Sequence, residues 1–165
     1  MTDFSLVTVW ELAAPLQRVW QAIHDVDQWP LWWPYVERVT TLEAGDAGGV
    51  GAVRRLRWRT RLPYTITFDT RATLVEPPFA LDAEAFGDLH GCGRWRLARQ
   101  GGVTLVRYVW EVSLAKPWMA RIAPLARPVF EWNHNGVMRA GGVGLTRWLA
   151  DQGSLASEPT YSRPG

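Results

Sequence analysis

The chain has 165 residues, of which 47% are hydrophobic and 21% are charged, and its formal net charge is +2. These values fit one globular domain, and the near balance of charge argues against general binding to polyanions such as nucleic acids. No run approaches the roughly 20 apolar residues that a membrane helix needs, so no transmembrane segment is expected. The first residues lack the pattern of a secretory signal and Cys92 is the single cysteine, which together favour a reducing, cytoplasmic location.

The first predicted elements are a strand and a helix. Residues 4–14 are rich in β-branched and aromatic side chains and end before Pro15, where a helix can begin. Apolar residues then recur at helical spacing, and this helix should end before Pro30. The segment WPLWWPYV at residues 29–36 is expected to form one or two broken helical turns.

Six extended runs follow, separated by residues that break regular structure, and they predict an antiparallel meander. The glycine-rich segment GDAGGVGA lies between the first two runs. It lacks the Lys-Ser or Lys-Thr pair of a phosphate-binding loop, so a strand-connecting turn with a bulge is predicted there.

The C-terminal part of the chain has a helical pattern. Pro124 and Pro128 predict short turns first, and then one long helix from Pro128 to about Ala150. Residues 151–165 are short of large apolar groups and are expected to form a disordered tail. The predicted domain therefore covers residues 1–150.

This order of elements predicts an α+β fold, in which a curved seven-stranded antiparallel sheet wraps around one long C-terminal helix. A strongly curved sheet cannot contact a straight helix along its whole length. We therefore expect a cavity between the sheet and the helix.

Side-chain periodicity indicates which residues face this cavity. Helical spacing turns Trp29 and Trp33 inward and leaves Trp32 at the rim, while strand alternation predicts an aromatic wall opposite the long helix. Ordinary core packing remains the alternative for each ring. The predicted ligand-binding residues are Trp29, Trp33, Tyr64, Phe68, Trp95, Tyr108, Trp110, Phe130, Asn133, His134, Val137, Met138 and Gly141.

His134 is the ionisable residue in the centre of the inward face of the long helix. It could bond a ligand or transfer a proton, because its ordinary pKa of about 6.5 allows both protonation states near neutrality. The alternative is a neutral core histidine bonded to a backbone carbonyl or to Tyr108. Gly141 lies on the same face, and a glycine inside a helix predicts that a ligand or an opposing tryptophan approaches the backbone there.

Two other patterns were weighed as sites. In RRLRWRTR, residues 54–61, strand alternation places Arg55, Arg57, Arg59 and Arg61 on one solvated face, with Leu56 and Trp58 on the other. Asp69, Asp82 and Glu84 of neighbouring strands can pair with arginines. His90 and Cys92 share a strand face, but two ligands make a poor metal site. Neither a metal nor a cofactor is predicted, and nucleic acid is not an expected partner.

The order of elements over residues 4–150, the segment WPLWWPYV, the strand entry GDLHGCGRW and the closing helix together form a recognisable pattern. Its individual positions are Pro15, Val19, Trp20, Ile23, Asp25, Val39, Leu42, Gly45 and Gly51. In this pattern the chain resembles the START-like, or SRPBCC, superfamily and its polyketide cyclase/dehydrase group. The resemblance implies a helix-grip fold with a hydrophobic cavity, as in lipid carriers, pollen-allergen-type binders and aromatic polyketide cyclases, but it does not specify a ligand.

The sequence favours a protein that binds a hydrophobic, ring-containing or lipid-like small molecule in an internal cavity. A cyclase or dehydratase is the alternative, with His134 as acid or base and with Tyr64, Tyr108 and Asn133 polarising carbonyls of a polyketide-like substrate. A structural or stress-related module with a filled core is a third possibility. Binding is favoured because the one proton-transfer group has no evident partner, and the oligomeric state is left open.

Overall fold

The computed structural model describes residues 4–114 and 117–156, with side chains described except at residues 114, 117–120, 122–126 and 155–156. Seven strands form one antiparallel sheet in the order β1-β7-β6-β5-β4-β3-β2, which confirms the predicted α+β fold and its meander. The strands are β1 (Phe4–Leu12), β2 (Val36–Glu43), β3 (Val53–Arg59), β4 (Thr65–Glu76), β5 (Ala80–Gly87), β6 (Leu89–Gln100) and β7 (Val103–Leu114). The helices are α1 (Leu16–His24), a 3-10 turn (Val26–Gln28), α2 (Trp29–Trp32) and α3 (Pro117–Ala156).

The first strand lies at one edge of the sheet, directly beside the last strand. β1 pairs antiparallel with β7, so that Phe4 lies opposite Val112 and Leu6 opposite Trp110. Side chains alternate along β1, with Phe4 buried and Val7 more than half exposed. The sheet therefore turns one face toward α3, and that face carries the large apolar side chains.

The long helix differs from its prediction at both ends. It was predicted to begin at Pro128 and to end near Ala150, but α3 is continuous over Pro117–Ala156 and includes Pro124. A proline removes one backbone donor from a helix but leaves the other hydrogen bonds available, and here the helix continues on both sides. Residues 151–156 of the predicted tail are thus helical, and residues 157–165 lie outside the described residues.

Tryptophans pack closely against glycines of α3. A Cβ on Gly141 would lie 2.6 Å from Nε1 of Trp33, and a Cβ on Gly142 would lie 3.0 Å from Nε1 of Trp10. The Trp33 side chain is buried, and its indole N–H donates to the carbonyl oxygen of Val137 at 2.9 Å. The glycines therefore allow α3 to approach the tryptophan-rich segment that follows α1.

Arg55 and Arg57 lie on the solvated outer face of β3, as predicted, whereas Arg59 at the end of the strand also lines the cavity between the sheet and α3. The Arg55 side chain donates to Asp69 at 2.8 Å, and Arg57 donates to Glu37 at 2.8 Å. Asp82 pairs with Arg96 of β6 rather than with an arginine of β3. The paired arginines lie at the surface, where each ion pair contributes little to stability.

The glycine-rich segment between β2 and β3 forms a turn, as predicted. Asp46 Oδ1 accepts hydrogen bonds from the backbone N–H groups of Gly48 and Val50, both at 2.9 Å. Asp and Gly are residues that favour such turns, because the aspartate bonds the local backbone and glycine accepts a positive φ. Of the described helices, none combines the length and the apolar character needed to cross a membrane.

Candidate functional site

A cavity of about 150 Å³ lies between the inner face of the sheet and α3. We call it the His134 compartment. Aromatic and aliphatic side chains make most of its wall, and a few polar groups interrupt them. Its lining residues are Phe4, Leu6, Trp29, Trp33, Trp58, Arg59, Thr60, Tyr64, Ile66, Phe68, Leu89, Trp95, Tyr108, Trp110, Val112, Phe130, Asn133, His134, Val137 and Met138.

Every residue predicted to bind ligand lines this compartment except Gly141. Gly141 faces the Trp33 ring instead, so the approach that its lack of a side chain allows is that of a tryptophan. The structure thus places the predicted residues together, and their contact with a ligand stays a prediction.

The placement of Trp32 at the rim is wrong. Its side chain is only 4% exposed, and its ring stacks on Trp33 with centroids 5.3 Å apart and planes 18° apart. Helical phase failed here because α2 has only four residues and the backbone is extended at Trp33, with φ −107° and ψ 101°. A phase argument needs a helix that continues through the residues compared.

His134 lines the compartment, and neither of its ring nitrogens has a hydrogen-bond partner among the described residues. The alternative in which it bonds a backbone carbonyl or Tyr108 is therefore not found in that part of the chain. Burial lowers the pKa of His134, and the neighbouring Asn135 side chain has a smaller, opposite effect. A neutral imidazole offers one donor and one acceptor, and an unmet buried polar atom costs about 1–3 kcal/mol.

Two tyrosines supply phenol groups to the wall. The Tyr108 ring stacks on Trp95 with centroids 4.1 Å apart and planes 27° apart. Burial raises the pKa of Tyr108, with a smaller contribution from Cys92, and burial also raises the pKa of Tyr64. Both phenols are therefore protonated at neutral pH and can donate a hydrogen bond.

Gly93 makes room for the phenol of Tyr108. A Cβ on Gly93 would lie 2.6 Å from the Tyr108 hydroxyl oxygen and 3.2 Å from Cε3 of Trp110. Any side chain at position 93 would push against the aromatic wall. The glycine thus allows the Tyr108 ring to lie flat across β6.

Asn133 has a structural partner. Its Oδ1 accepts the backbone N–H of Arg61 at 2.8 Å, and the residue is buried. The Arg61 guanidinium lies over the Trp132 ring, 3.7 Å from its centroid. Asn133 therefore ties the loop after β3 to α3 at the edge of the compartment, and its oxygen is already used.

Sequence reasoning missed several lining residues. Phe4 and Leu6 belong to β1, and they reach the compartment because β1 pairs with β7. Trp58 lies on the strand face opposite the arginines, so alternation had placed it inward without assigning it to the site. The alternation of side chains along each strand could have indicated that these residues face inward. The sequence did not show which strands are neighbours in the sheet.

The two candidate metal ligands outside the compartment, His90 and Cys92, do not form a site. His90 is exposed, whereas the Cys92 thiol donates to Glu111 Oε2 at 3.5 Å. Burial raises the pKa of the Cys92 thiol, and Glu111 adds to this effect. Among residues 4–114 and 117–156, no three histidine, cysteine, aspartate or glutamate side chains form a group that could hold a metal ion.

Residues 12–140 of the chain match the family model described as polyketide cyclase / dehydrase and lipid transport. The chain belongs to this family. The resemblance inferred from the sequence is thereby confirmed. A comparison with curated proteins found no match to this chain.

Solved structures of low sequence identity share the fold. The Zhui aromatase/cyclase from Streptomyces sp. R1128 matches with a TM-score of 0.74 and 18% identity, over 94% of this chain and 99% of that one. A START superfamily protein from Mycobacterium smegmatis matches with a TM-score of 0.74 and 14% identity, over 90% of this chain and 98% of that one. These similarities confirm the helix-grip fold of this family member.

A third structure is the di-domain aromatase/cyclase BexL from the BE-7585A biosynthetic pathway, with a TM-score of 0.69 and 17% identity. The match covers 98% of this chain and 51% of that one. This chain therefore corresponds to about half of the di-domain protein. At such identities the likeness is one of fold, and the site of this family member rests on its own residues.

Proposed function

We propose that this protein binds a small, hydrophobic, ring-containing molecule in the His134 compartment. The observation that carries the proposal is an aromatic cavity that contains a histidine whose ring nitrogens have no partner in the described part of the chain. Membership of a family named for cyclases, dehydrases and lipid transport supports a ligand of this kind. Pockets with an apolar wall and a few convergent polar groups are typical binding sites.

The size of the compartment supports a ligand of about one ring. Its volume is about 150 Å³. An engineered apolar cavity of about that size in another protein takes up benzene. Aromatic walls such as Tyr108 and Trp110 favour a flat ligand, because ring pairs gain about 0.5–1.5 kcal/mol beyond the burial of their area.

The polar groups of the wall favour a ligand with a carbonyl or hydroxyl group. The protonated Tyr64 and Tyr108 phenols can donate a hydrogen bond, and neutral His134 can donate one and accept another. A ligand carbonyl that accepts from the His134 N–H would also remove the cost of that unmet donor. A plain hydrocarbon of the same shape should therefore bind more weakly.

Catalysis of a cyclisation or dehydration is the second candidate, with His134 as acid or base. The aromatase/cyclase structures among the similar folds favour it. A histidine that transfers protons is usually oriented by a third group bonded to its second nitrogen. His134 has no such partner among the described residues, and binding is therefore the better supported function.

A titration with acetophenone tests the binding proposal. Isothermal titration calorimetry should show saturable 1:1 binding to the wild type. Val137→Phe fills the compartment from α3 and should weaken binding strongly, whereas Val143→Phe changes an exposed residue of the same helix and should not. Absence of saturable binding, or equal loss in both variants, would reject the proposal.

The His134→Gln variant separates binding from catalysis. Glutamine keeps a donor and an acceptor but cannot transfer a proton near neutral pH. For a binding protein, the affinity for acetophenone should change little. For a cyclase, turnover of a polyketide-like substrate should fall far more than affinity.

A further inference from the structure

A second cavity, of about 100 Å³, adjoins the first across a shared wall. We call it the His24 compartment. It lies toward the end of α1 and the turn between β2 and β3. The residues that line both compartments are Trp29, Trp58, Phe68, Trp95, Tyr108 and Trp110.

The far end of the His24 compartment is more polar than its shared wall. His24, Arg54 and Thr70 line it there, and Arg54 pairs with Asp27 at 3.3 Å. The His134 compartment has its own polar group at the opposite end. The two compartments together thus form an apolar middle made of rings, with a polar group at each end.

The tryptophan rings of the shared wall differ in the hydrogen bonds and ring contacts that fix their positions. The Trp29 indole N–H donates to the carbonyl oxygen of Ile23 at 3.1 Å, and Trp95 stacks on Tyr108. The Trp58 indole N–H is enclosed and has no hydrogen-bond partner among the described residues. Trp58 contacts Trp29 and Trp33 edge to face, at centroid distances of 6.3 and 4.9 Å.

Rotation of Trp58 would therefore break no hydrogen bond within the described residues, whereas rotation of Trp29 would break one. Trp58 is also only half-buried, unlike Trp29 and Trp95. Trp110 of the same wall is also only partly buried, but among the four tryptophans of the wall Trp58 is the one whose indole N–H is both enclosed and without a partner in the described residues.

We propose that Trp58 is the partition between the two compartments and determines the length of the ligand that the protein accepts. A one-ring ligand occupies the His134 compartment with Trp58 in place. A planar ligand of two or three rings must displace Trp58 and extend into the His24 compartment, where His24 and Thr70 can bond a second polar group. This inference rests on the proposed function, because it assigns a specificity-determining residue to the same cavity.

Two probes and two kinds of variant test the partition. Acetophenone has one ring and one carbonyl, and 9-fluorenone has three fused rings and one carbonyl. Trp58→Ala should raise the affinity for 9-fluorenone by about tenfold or more relative to any change in the affinity for acetophenone, whose compartment Trp58 also lines. Trp58→Phe should give a smaller gain in affinity for 9-fluorenone. This variant replaces Trp58→Ala in the test if the alanine variant does not fold.

Trp132→Ala is the control, since Trp132 is 48% exposed and does not line either compartment. It should leave both affinities unchanged. Circular dichroism and thermal unfolding establish that each variant is folded before titration.

The outcomes separate this inference from the proposed function. If the wild type binds acetophenone and the Trp58 variants do not gain affinity for 9-fluorenone, the partition is wrong and the proposed function stands. Equal affinity of the wild type for both probes would also overturn the partition, because Trp58 would then present no barrier. If no folded variant and no wild-type protein binds either probe, the proposed function fails.

Discussion

The indole ring of Trp33 fills the space that a side chain on Gly141 would occupy. A Cβ at position 141 would lie 2.6 Å from Nε1 and 2.8 Å from Cζ2 of that ring. The ring cannot easily move, since it is buried and its N–H donates to the carbonyl oxygen of Val137. This contact fixes α3 against the tryptophan-rich segment and so sets the width of the cavity beside it.

Gly141→Ala should therefore destabilise the protein, although alanine is the better helix former. Overpacking a close-packed core typically costs about 1–3 kcal/mol, which exceeds the helix-propensity gain of up to about 1 kcal/mol. Denaturant unfolding measures the change. Gly102→Ala is the control, because nothing lies within 4 Å of a Cβ there. Equal stability of the two variants would show that the Trp33 ring can move away from position 141 without loss of stability.

Stability should depend on pH through His134. Burial lowers the pKa of His134 from its usual 6.5 in the folded state. Well above pH 6.5 the residue is neutral in both states and contributes no pH dependence. As the pH falls below 6.5, the unfolded chain binds a proton that the folded chain resists, so the free energy of unfolding decreases.

Denaturant unfolding of the wild type and of His134→Gln between pH 5 and 7.5 measures this effect. The variant should lose part of the decrease below pH 6.5. His90→Gln changes an exposed histidine and should keep the wild-type slope. Identical slopes in the wild type and His134→Gln would mean that the imidazole is not held neutral by burial.

Asn133→Ala should loosen the loop after β3. The change leaves the backbone N–H of Arg61 without its acceptor, and a typical intramolecular hydrogen bond contributes about 0.5–1.5 kcal/mol. Hydrogen exchange at Arg61 should become faster and overall stability should fall. Asn135→Ala, at an exposed position of the same helix, should not accelerate exchange at Arg61. An unchanged exchange rate at Arg61 in Asn133→Ala would show that the Asn133 hydrogen bond does not hold the loop on α3.

Gly93→Ala should weaken ligand binding through Tyr108. The added methyl group would lie 2.6 Å from the Tyr108 hydroxyl oxygen and would push the ring out of its stack. We expect about a tenfold loss of acetophenone affinity, or about 1.4 kcal/mol. Calorimetry measures the loss, and Gly102→Ala again serves as the control. Wild-type affinity would imply that Tyr108 does not shape the compartment.

Much of the cavity wall was predictable because a strand repeats every two residues. Tyr64 lies just before β4 and Phe68 lies within it, and Tyr108 and Trp110 share a face of β7; alternation along the chain placed each pair inward. The long helix fixed His134 in the same way through its regular phase. Such predictions hold wherever the element continues unbroken through the residues compared.

The other features depend on tertiary contacts that no local pattern contains. The inward residues of β1 reach the cavity because β1 pairs with β7, so that the first and last strands of the sequence are neighbours in the sheet. The space beside Gly141 was predicted, but whether a ligand or a tryptophan filled it depended on where Trp33 packs. The start of α3 was misplaced because proline was given more weight than the continuing hydrogen bonds around it.

The most direct test of a ring-binding cavity locates a bound ring inside it. A crystal of the wild-type protein soaked with 4-bromoacetophenone gives an anomalous signal from bromine. We expect one strong peak between Tyr64, Phe130 and Met138, with the carbonyl oxygen within hydrogen-bond distance of His134 or a tyrosine hydroxyl. Bromine found only on the surface, or no peak in a cavity that stays closed, would contradict a ring-binding cavity.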